Sequence, residues 1–319
     1  MKTFQRPTAM SFEFTLARVA LEDIDFTDRT FSISFPETSP ALEACMARTG
    51  VCTPPLLAPS GKMFTPVAGR RRLVALRKTG AGEVAALIAC GTPGKKALLS
   101  YSILDNCSKR RLNPVEAAAS SAKLIAAGFT ESEVLEIFFP SFGLEKSLKI
   151  LGQLFSVNRL SKAAKTYILD KKILPSAVKK VFDGAGKHAP LYMAFAEKAG
   201  LGTNDFARIF ELMDDIALKS GENLREIIGQ AEGLEPKSLY GHLADSLNPG
   251  LASLRREIAG AERRFSKRRI LEIKIPEHYE GDGIILTSAL KSKRDLDELA
   301  SLLENLRGEK DFGKIFDEL

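Results

Sequence analysis

Residues 64–80, FTPVAGRRRLVALRKTG, place three consecutive arginines directly after a glycine, where a helix is expected to begin. Val67 and Ala68 end a short apolar run, and Leu73, Val74 and Leu76 recur at helical spacing until Gly80, a C′ stop. Arg70, Arg71 and Arg72 therefore fall in the first helical turn, at the positive pole of the helix dipole. Cations are mildly unfavourable there unless something negative is brought to them, and a bound phosphate is the first candidate.

The chain around this turn has 319 residues, 45% apolar and 27% charged, which is the composition of a soluble globular protein with room for two or three domains. Its formal charge of +6 is unevenly spread. Residues 146–180 carry nine Lys or Arg against Asp170 alone, residues 255–274 carry eight against three acids, and the tail from Asp295 is acidic. Two readings of the basic runs stand side by side, contact with a polyanion and solvated charged faces. Cys45, Cys52, Cys90 and Cys107 lack C-x-x-C spacing, and with His188, His242 and His278 they form no metal-ligand pattern. Separate reduced thiols suit the cytosol. The start, MKTFQRPTAMSFEF, lacks the apolar stretch of a secretory signal, and no apolar run reaches the length of a membrane span. The expectation is a cytoplasmic protein without a membrane partner.

The expected fold class is α+β in three parts: an α/β domain over 1–112, an all-helical domain over 113–260, and a strand-strand-helix unit over 261–319. In the first part RTFSISF, PPLLAP, MFTPVA and EVAALIAC read as strands, and SPALEACMARTG and the arginine-led segment as helices. At Asn113 the pattern NPVE supplies an Asn N-cap, Pro at N1 and Glu at N3, and the helix it opens runs to Gly128. TESE at 130–133 opens a shorter helix that stops at Pro140. A third helix after PSFG is expected to put Leu144, Leu148, Leu151 and Phe155 on its inner face, with Lys146, Lys149 and Gln153 turned away. Two short helices around a glycine-containing corner have the outline of a helix-turn-helix, whose second helix reads DNA. In the last part RILEIKI and GIILT read as strands. SKRDLDELASLLENL reads as a helix with Leu296, Leu299, Leu303 and Leu306 on one stripe, suited to meeting a second copy.

Two segments carry the chemistry together, the glycine-arginine turn and DNCSKRRLNP at 105–114. The second offers a carboxylate, a carboxamide and three cations, suiting a Mg²⁺ ligand, a hydrogen bond to base or phosphate, and phosphate neutralisation. The order GVCTPPLL, VAGRRRLVALRKTG, LDNCSKRRLNPVEAA, helix pair, LDKKILPSAVKKVF resembles the ParB family of chromosome and plasmid partition proteins. That family has a G-[IL]-x-Q-P-L strand entry, a G-E-R-R-x-R-A box, an E-N-x-Q-R-x-x-L-N-P-x-E-x-A box, a helix-turn-helix and an L-x-x-G-x-L-S-x-x-H-A helix. The resemblance runs from Phe31 to Phe182, with RLNPVEAA its most telling piece, and more loosely includes the closing unit.

The resemblance implies a DNA-bound clamp: a ParB/sulfiredoxin-like N-terminal domain binding CTP with Mg²⁺, a helical domain recognising a centromere-like site, and a C-terminal unit forming a homodimer. A partition ATPase would be a further partner, and the location would be the nucleoid. Carried over by position, Gly69, Arg70, Arg71, Arg72 and Lys109 would line the triphosphate, Thr53 and Pro54 would flank the base, Asn106 would contact nucleotide, and Asp105 would stand near the metal. DNA contacts would come from Lys146, Ser147 and Lys149, with Lys162 and Lys165 on phosphates. Arg268 would contribute from a second basic patch that includes Arg263, Arg264, Lys267 and Arg269. Some residues depart from the family pattern. Arg70 stands in place of the box's Glu, Val74 in place of an Arg, and Ser108 and Lys109 in place of Gln-Arg, so a nucleotide switch with slow or absent turnover is expected. An extra cation at 70 would favour anion binding. FFPSFGLEKSLK is more aromatic than the family's corner. Two other readings remain open: a transcriptional regulator or nucleoid-associated protein that has left partition, and a small-molecule kinase on the same fold using Asp105 or Glu116 as base. Sulfiredoxin chemistry is disfavoured, because the turn holds no cysteine.

Overall fold

The structure, a computed structural model, describes residues 12–250, 252, 253, 256, 271–274 and 285–308. The chain divides into two compact units between Phe210 and Glu211.

The first unit opens with a four-stranded mixed sheet. β1 (Phe14–Ala20), β2 (Leu56–Ser60), β3 (Met63–Ala68) and β4 (Glu83–Ala89) lie in the order β1-β4-β2-β3. β1 runs antiparallel to β4 with Val19 opposite Val84; β2 runs parallel to β4 and antiparallel to β3. α1 (Pro40–Thr49), α2 (Arg70–Lys78) and α3 (Lys95–Lys109) complete the domain. Its core is Val19, Leu21, Ile24, Leu57, Leu73, Val84 and Ala86. Leu73 is fully buried, so α2 is pinned to the sheet one turn after its arginines.

RTFSISF is not a strand. Asp25 accepts hydrogen bonds from the Thr27 and Asp28 amides, and Asp28 from the Thr30 amide, so successive aspartates turn the backbone. The carbonyls of the segment go to side chains instead of a ladder: Ser102 donates to Phe31 O (3.0 Å) and Lys123 to Thr30 O (2.9 Å). Phe31 and Ile33 are still buried. The strand that fills the sheet edge is β1, in a stretch where no strand was expected. A second difference is α3, a helix not expected from the sequence, which carries Asp105 and Asn106 near its C-terminal end.

The helices that follow agree more closely with the pattern. α4 (Pro114–Ala126) carries a reciprocal capping box between Asn113 and Glu116, and Thr130 and Glu133 form another at α5 (Glu131–Glu133). The helix does not stop at Pro140. A π-helical stretch, Val134–Phe138, leads into α6 (Phe139–Phe142), with the Phe139 amide bonded to Val134 O. That widened turn shifts the hydrogen-bond ladder just where proline has no N–H to give. α7 (Leu148–Asn158) buries Leu151, Leu154 and Val157, whereas Leu148 is 61% exposed. The inner face is therefore rotated from the expected one, because α4 and α9 flank the helix. α8 (Lys162–Asp170), α9 (Pro175–Ala185) and α10 (Ala189–Lys198) follow, and α11 (Thr203–Ser220) runs across the boundary between units.

The second unit contains α12 (Leu224–Ala231), α13 (Pro236–Leu247), an antiparallel pair of β5 (Glu272–Lys274) and β6 (Ile285–Thr287), and α14 (Lys293–Gly308). Leu296 and Leu303 on α14 are exposed. Among the described residues no helix is long and apolar enough to cross a membrane.

Candidate functional site

β3 delivers the chain to Gly69, whose φ of +84° turns it directly into α2. A side chain there would be strained in this left-handed conformation, and its Cβ would lie 3.0 Å from Pro55 Cβ and 2.8 Å from Arg72 Nη2. Gly69→Ala is expected to cost about 2 kcal/mol through backbone strain and this crowding, read as a lowered urea midpoint at unchanged m.

The turn borders a cleft of about 280 Å³. Its lining includes Gly69, Arg70, Arg71 and Arg72 from the start of α2, Asp105, Asn106 and Lys109 from the end of α3, and Arg110 beyond it. The two segments distinguished in the sequence thus share one cavity. Thr53 and Pro54 reach it through Arg72, which donates to both of their carbonyls.

The three arginines are not equivalent. Arg70 is 7% exposed and turns inward: Nε donates to Glu37 Oε1 at 2.6 Å, Nη1 to Asp28 O at 2.8 Å, and Nη2 to Phe26 O. Arg70 lines the cleft, but it differs from the other two arginines in that every nitrogen of its guanidinium is engaged in holding the 26–37 loop. Glu37 supplies the negative charge that the helix tip needs at this position, and its carboxyl is held below the usual range by Arg70 and Arg29 despite partial burial. Arg71 donates to Pro36 O (2.9 Å from Nε) and to Glu116 Oε1 (3.4 Å), and partial burial lowers its pKa. Arg72 is also partly desolvated and feels the field of Asp105; among the described residues its hydrogen bonds go to carbonyls alone.

Glu116 is the buried counterpart of this cluster. It is 0% exposed and accepts from both terminal nitrogens of Arg110, one at 2.7 Å, as well as from the Phe35 amide (2.9 Å), the Asn113 amide (3.1 Å) and Arg71. So completely bonded a carboxylate is not free to act as a kinase base. Asp105 is occupied by Lys109, which meets both oxygens at 2.6 and 2.7 Å one turn away. Asn106 donates to Ser102 O. Glu37 and Arg110 were not singled out in the sequence. Arg110 sits six residues before Glu116 and follows the negative end of α3, which was the available signal.

Lys123 reaches from α4 to the Arg29 and Thr30 carbonyls, and burial, with Lys95, Arg70 and Arg29 nearby, pushes its pKa from 10.5 down to about 8. Its favourable contribution is complete above 10.5 and is lost as pH falls through about 8. The urea stability of the protein should therefore rise from pH 8 to 9 relative to Lys123→Met; parallel curves would refute the assignment.

The DNA candidates lie on separate helices. Lys146 pairs with Glu136 before α7, Ser147 is the N-cap of α7, and Lys149 is exposed on its first turn. Lys162 is exposed at the start of α8, whereas Lys165 is half-buried, donates to Asn158 O at 3.0 Å and has its pKa lowered by desolvation. Arg268 and the patch around it lie outside the described residues.

The site thus defines a class: an α+β chain in which a sheet, an arginine-led helix and the end of the next helix enclose a cationic cleft, followed by a helical array. No family model and no curated protein matches the sequence. Solved structures to which the chain is similar include the C-terminally truncated chromosome-partitioning protein ParB from Caulobacter crescentus complexed to the centromeric parS site, at 16% identity and TM-score 0.33, over 61% of this chain and 98% of that one. They also include the truncated Caulobacter crescentus ParB complexed with CTP-gamma-S, at 19% identity and TM-score 0.24, over 57% and 98%. A Pnob8-like ParB-N domain is similar at 16% identity and TM-score 0.32, over 78% and 98%.

Proposed function

We propose that the chain is a ParB-like, nucleotide-gated DNA-binding protein, with CTP as the nucleotide. The observation that carries this reading is the shared cleft: Arg71, Arg72 and Lys109 border it together with Asp105 and Asn106. The Arg72 guanidinium, held by neutral carbonyls, can exchange those bonds for charge-assisted ones to a triphosphate, and Arg71 can do so with its bonds to Pro36 O. Among the described residues no group of three or more His, Cys, Asp or Glu is placed to hold a metal. Asp105 is the carboxylate in the cleft, so Mg²⁺ fits as a triphosphate-borne ion with Asp105 as its protein ligand, released from Lys109. The ion would offset phosphate charge.

In this reading α5 to α7 form the helix-turn-helix. Leu148 and Lys149 are its exposed leading residues, Lys162 is a phosphate contact, and α14 pairs two copies through its leucines. Partition beside an ATPase is the proposed role. Turnover is slow, because Asp105, the carboxylate lining the cleft, is held by Lys109 and Glu116 is fully bonded. Equilibrium binding of each ribonucleoside triphosphate, with phosphate release followed with and without DNA, tests the assignment. Preferential CTP binding with little release is expected; no binding of any nucleotide overturns it, and rapid release overturns the slow-turnover part. DNA affinity should fall with salt at a log–log slope of about −0.9 per phosphate contact.

A further inference from the structure

The turn that closes α1 places two thiols against one residue. Cys45 Sγ lies 3.9 Å from Thr49 Oγ1, and Cys52 Sγ lies 3.9 Å from the Thr49 carbonyl oxygen. Both cysteines are exposed. Between them Gly50, at φ +66°, reverses the chain, and a Cβ built there would meet nothing within 4 Å, so the turn has open space in which to adjust. Cys52 directly precedes Thr53 and Pro54, whose carbonyls hold Arg72 at the edge of the cleft.

We propose that Cys45 and Cys52 are an oxidative modification site that takes low-molecular-weight disulfides as substrate and closes into an internal disulfide, restraining the wall of the cleft. One cysteine thiolate attacks a sulfur of the small disulfide and expels one thiolate, leaving a mixed disulfide. The second cysteine thiolate attacks the protein sulfur of that mixed bond and expels the other. Two protein thiols lose two protons and two electrons, and the small disulfide is reduced to two thiols. Bonding requires the two Cβ atoms to come within about 4.5 Å, and the open space at Gly50 is where the turn between them can adjust. Once formed, the bond ties residue 52 to α1 and fixes the Thr53 carbonyl on Arg72. The arginine is then less free to turn toward a phosphate. This consequence rests on the reading of the cleft as a nucleotide site; the bond itself does not.

Cys90 and Cys107 serve as internal references. Both are partly buried, and burial pushes the Cys107 thiol up to about 11, so neither should compete at neutral pH.

The folded full chain is incubated with oxidised glutathione, digested without reduction, and mapped by mass spectrometry, with nucleotide affinity measured before and after. The expected result is a peptide pair joined through residues 45 and 52, loss of two of the four thiols, and several-fold weaker CTP binding, all reversed by dithiothreitol. Cys45→Ser and Cys52→Ser should each stop at a stable glutathione adduct on the remaining thiol and keep their affinity. Wild-type protein that accumulates adducts without the internal bond overturns the proposal. A bond that forms with affinity unchanged overturns the coupling to the cleft. If neither form binds nucleotide, a bond that forms still supports the thiol site, and it is the nucleotide reading that fails.

Discussion

Glu116→Ala is expected to lower the stability of the chain by about 3–5 kcal/mol, the range for breaking a buried ion pair on one side. Three layers of structure meet at this carboxylate. It caps its own helix through Asn113, anchors the 35–36 backbone through the Phe35 amide, and neutralises Arg110 and Arg71. Loss of the cap alone would cost only about 1 kcal/mol. The excess comes from two partly buried guanidiniums left without a counter-charge and from an amide left unpaired. Glu116→Gln separates these parts, since glutamine can retain the cap and the Phe35 bond while removing the charge; about half the loss is expected. Urea unfolding at pH 7 measures both. An alanine variant within 1 kcal/mol of wild type would show that the cluster is not the structural centre described above.

Parts of this arrangement were legible in the sequence because they depend on local rules. NPVE and TESE encode reciprocal caps that need only four residues, and both caps are present. The strands in PPLLAP, MFTPVA and EVAALIAC lie between turn residues, and they form the sheet centre and one edge. What escaped depends on distant partners. RTFSISF alternates like a strand, but its carbonyls are taken by Ser102 and Lys123, 71 and 94 residues away, so tertiary bonds overrode local pattern. α3 was hidden because its N-cap is Gly94, with no capping side chain and no acid in the first turn, and because Ser100 and Ser102 occupy core positions. The rotation of α7 was equally non-local: Leu148 and Leu154 look alike in sequence, and the flanking helices decide which is covered.

The site shows the same division. The glycine-arginine turn was visible as an anomaly of charge at a helix tip, and the common cleft accounts for its pairing with Asp105 and Asn106. The separate roles of three adjacent arginines were not visible. Helical geometry sends successive residues about 100° apart, so neighbours in sequence enter different surroundings. Which of them meets Glu37, which meets Glu116 and which meets only carbonyls depends on the 26–37 loop and on α4.

Arg72→Ala and Arg70→Met are therefore expected to give opposite results. Arg72 donates to the Thr53 and Pro54 carbonyls and has no carboxylate partner among the described residues, so removing it leaves no buried charge behind. Stability should change by less than about 1 kcal/mol, whereas CTP affinity should fall about 10- to 100-fold, the equivalent of one charge-assisted contact to phosphate. Arg70→Met removes a guanidinium that joins Glu37 to two carbonyls inside the loop, and the stranded groups should cost about 3 kcal/mol of stability. The folded fraction should bind nucleotide within about threefold of wild type, because every nitrogen of Arg70 is held inside the 26–37 loop, and threefold is well under the 1.4 kcal/mol that a tenfold change represents. Arg72→Lys tests the geometry further, since an ammonium keeps the charge but not the planar fork, and an intermediate affinity is expected. Calorimetric titration with CTP and urea unfolding of all three variants measure the two axes independently. If Arg70→Met lost binding while Arg72→Ala kept it, the inward arginine would be the ligand, and the division of labour along this helical turn would be reversed.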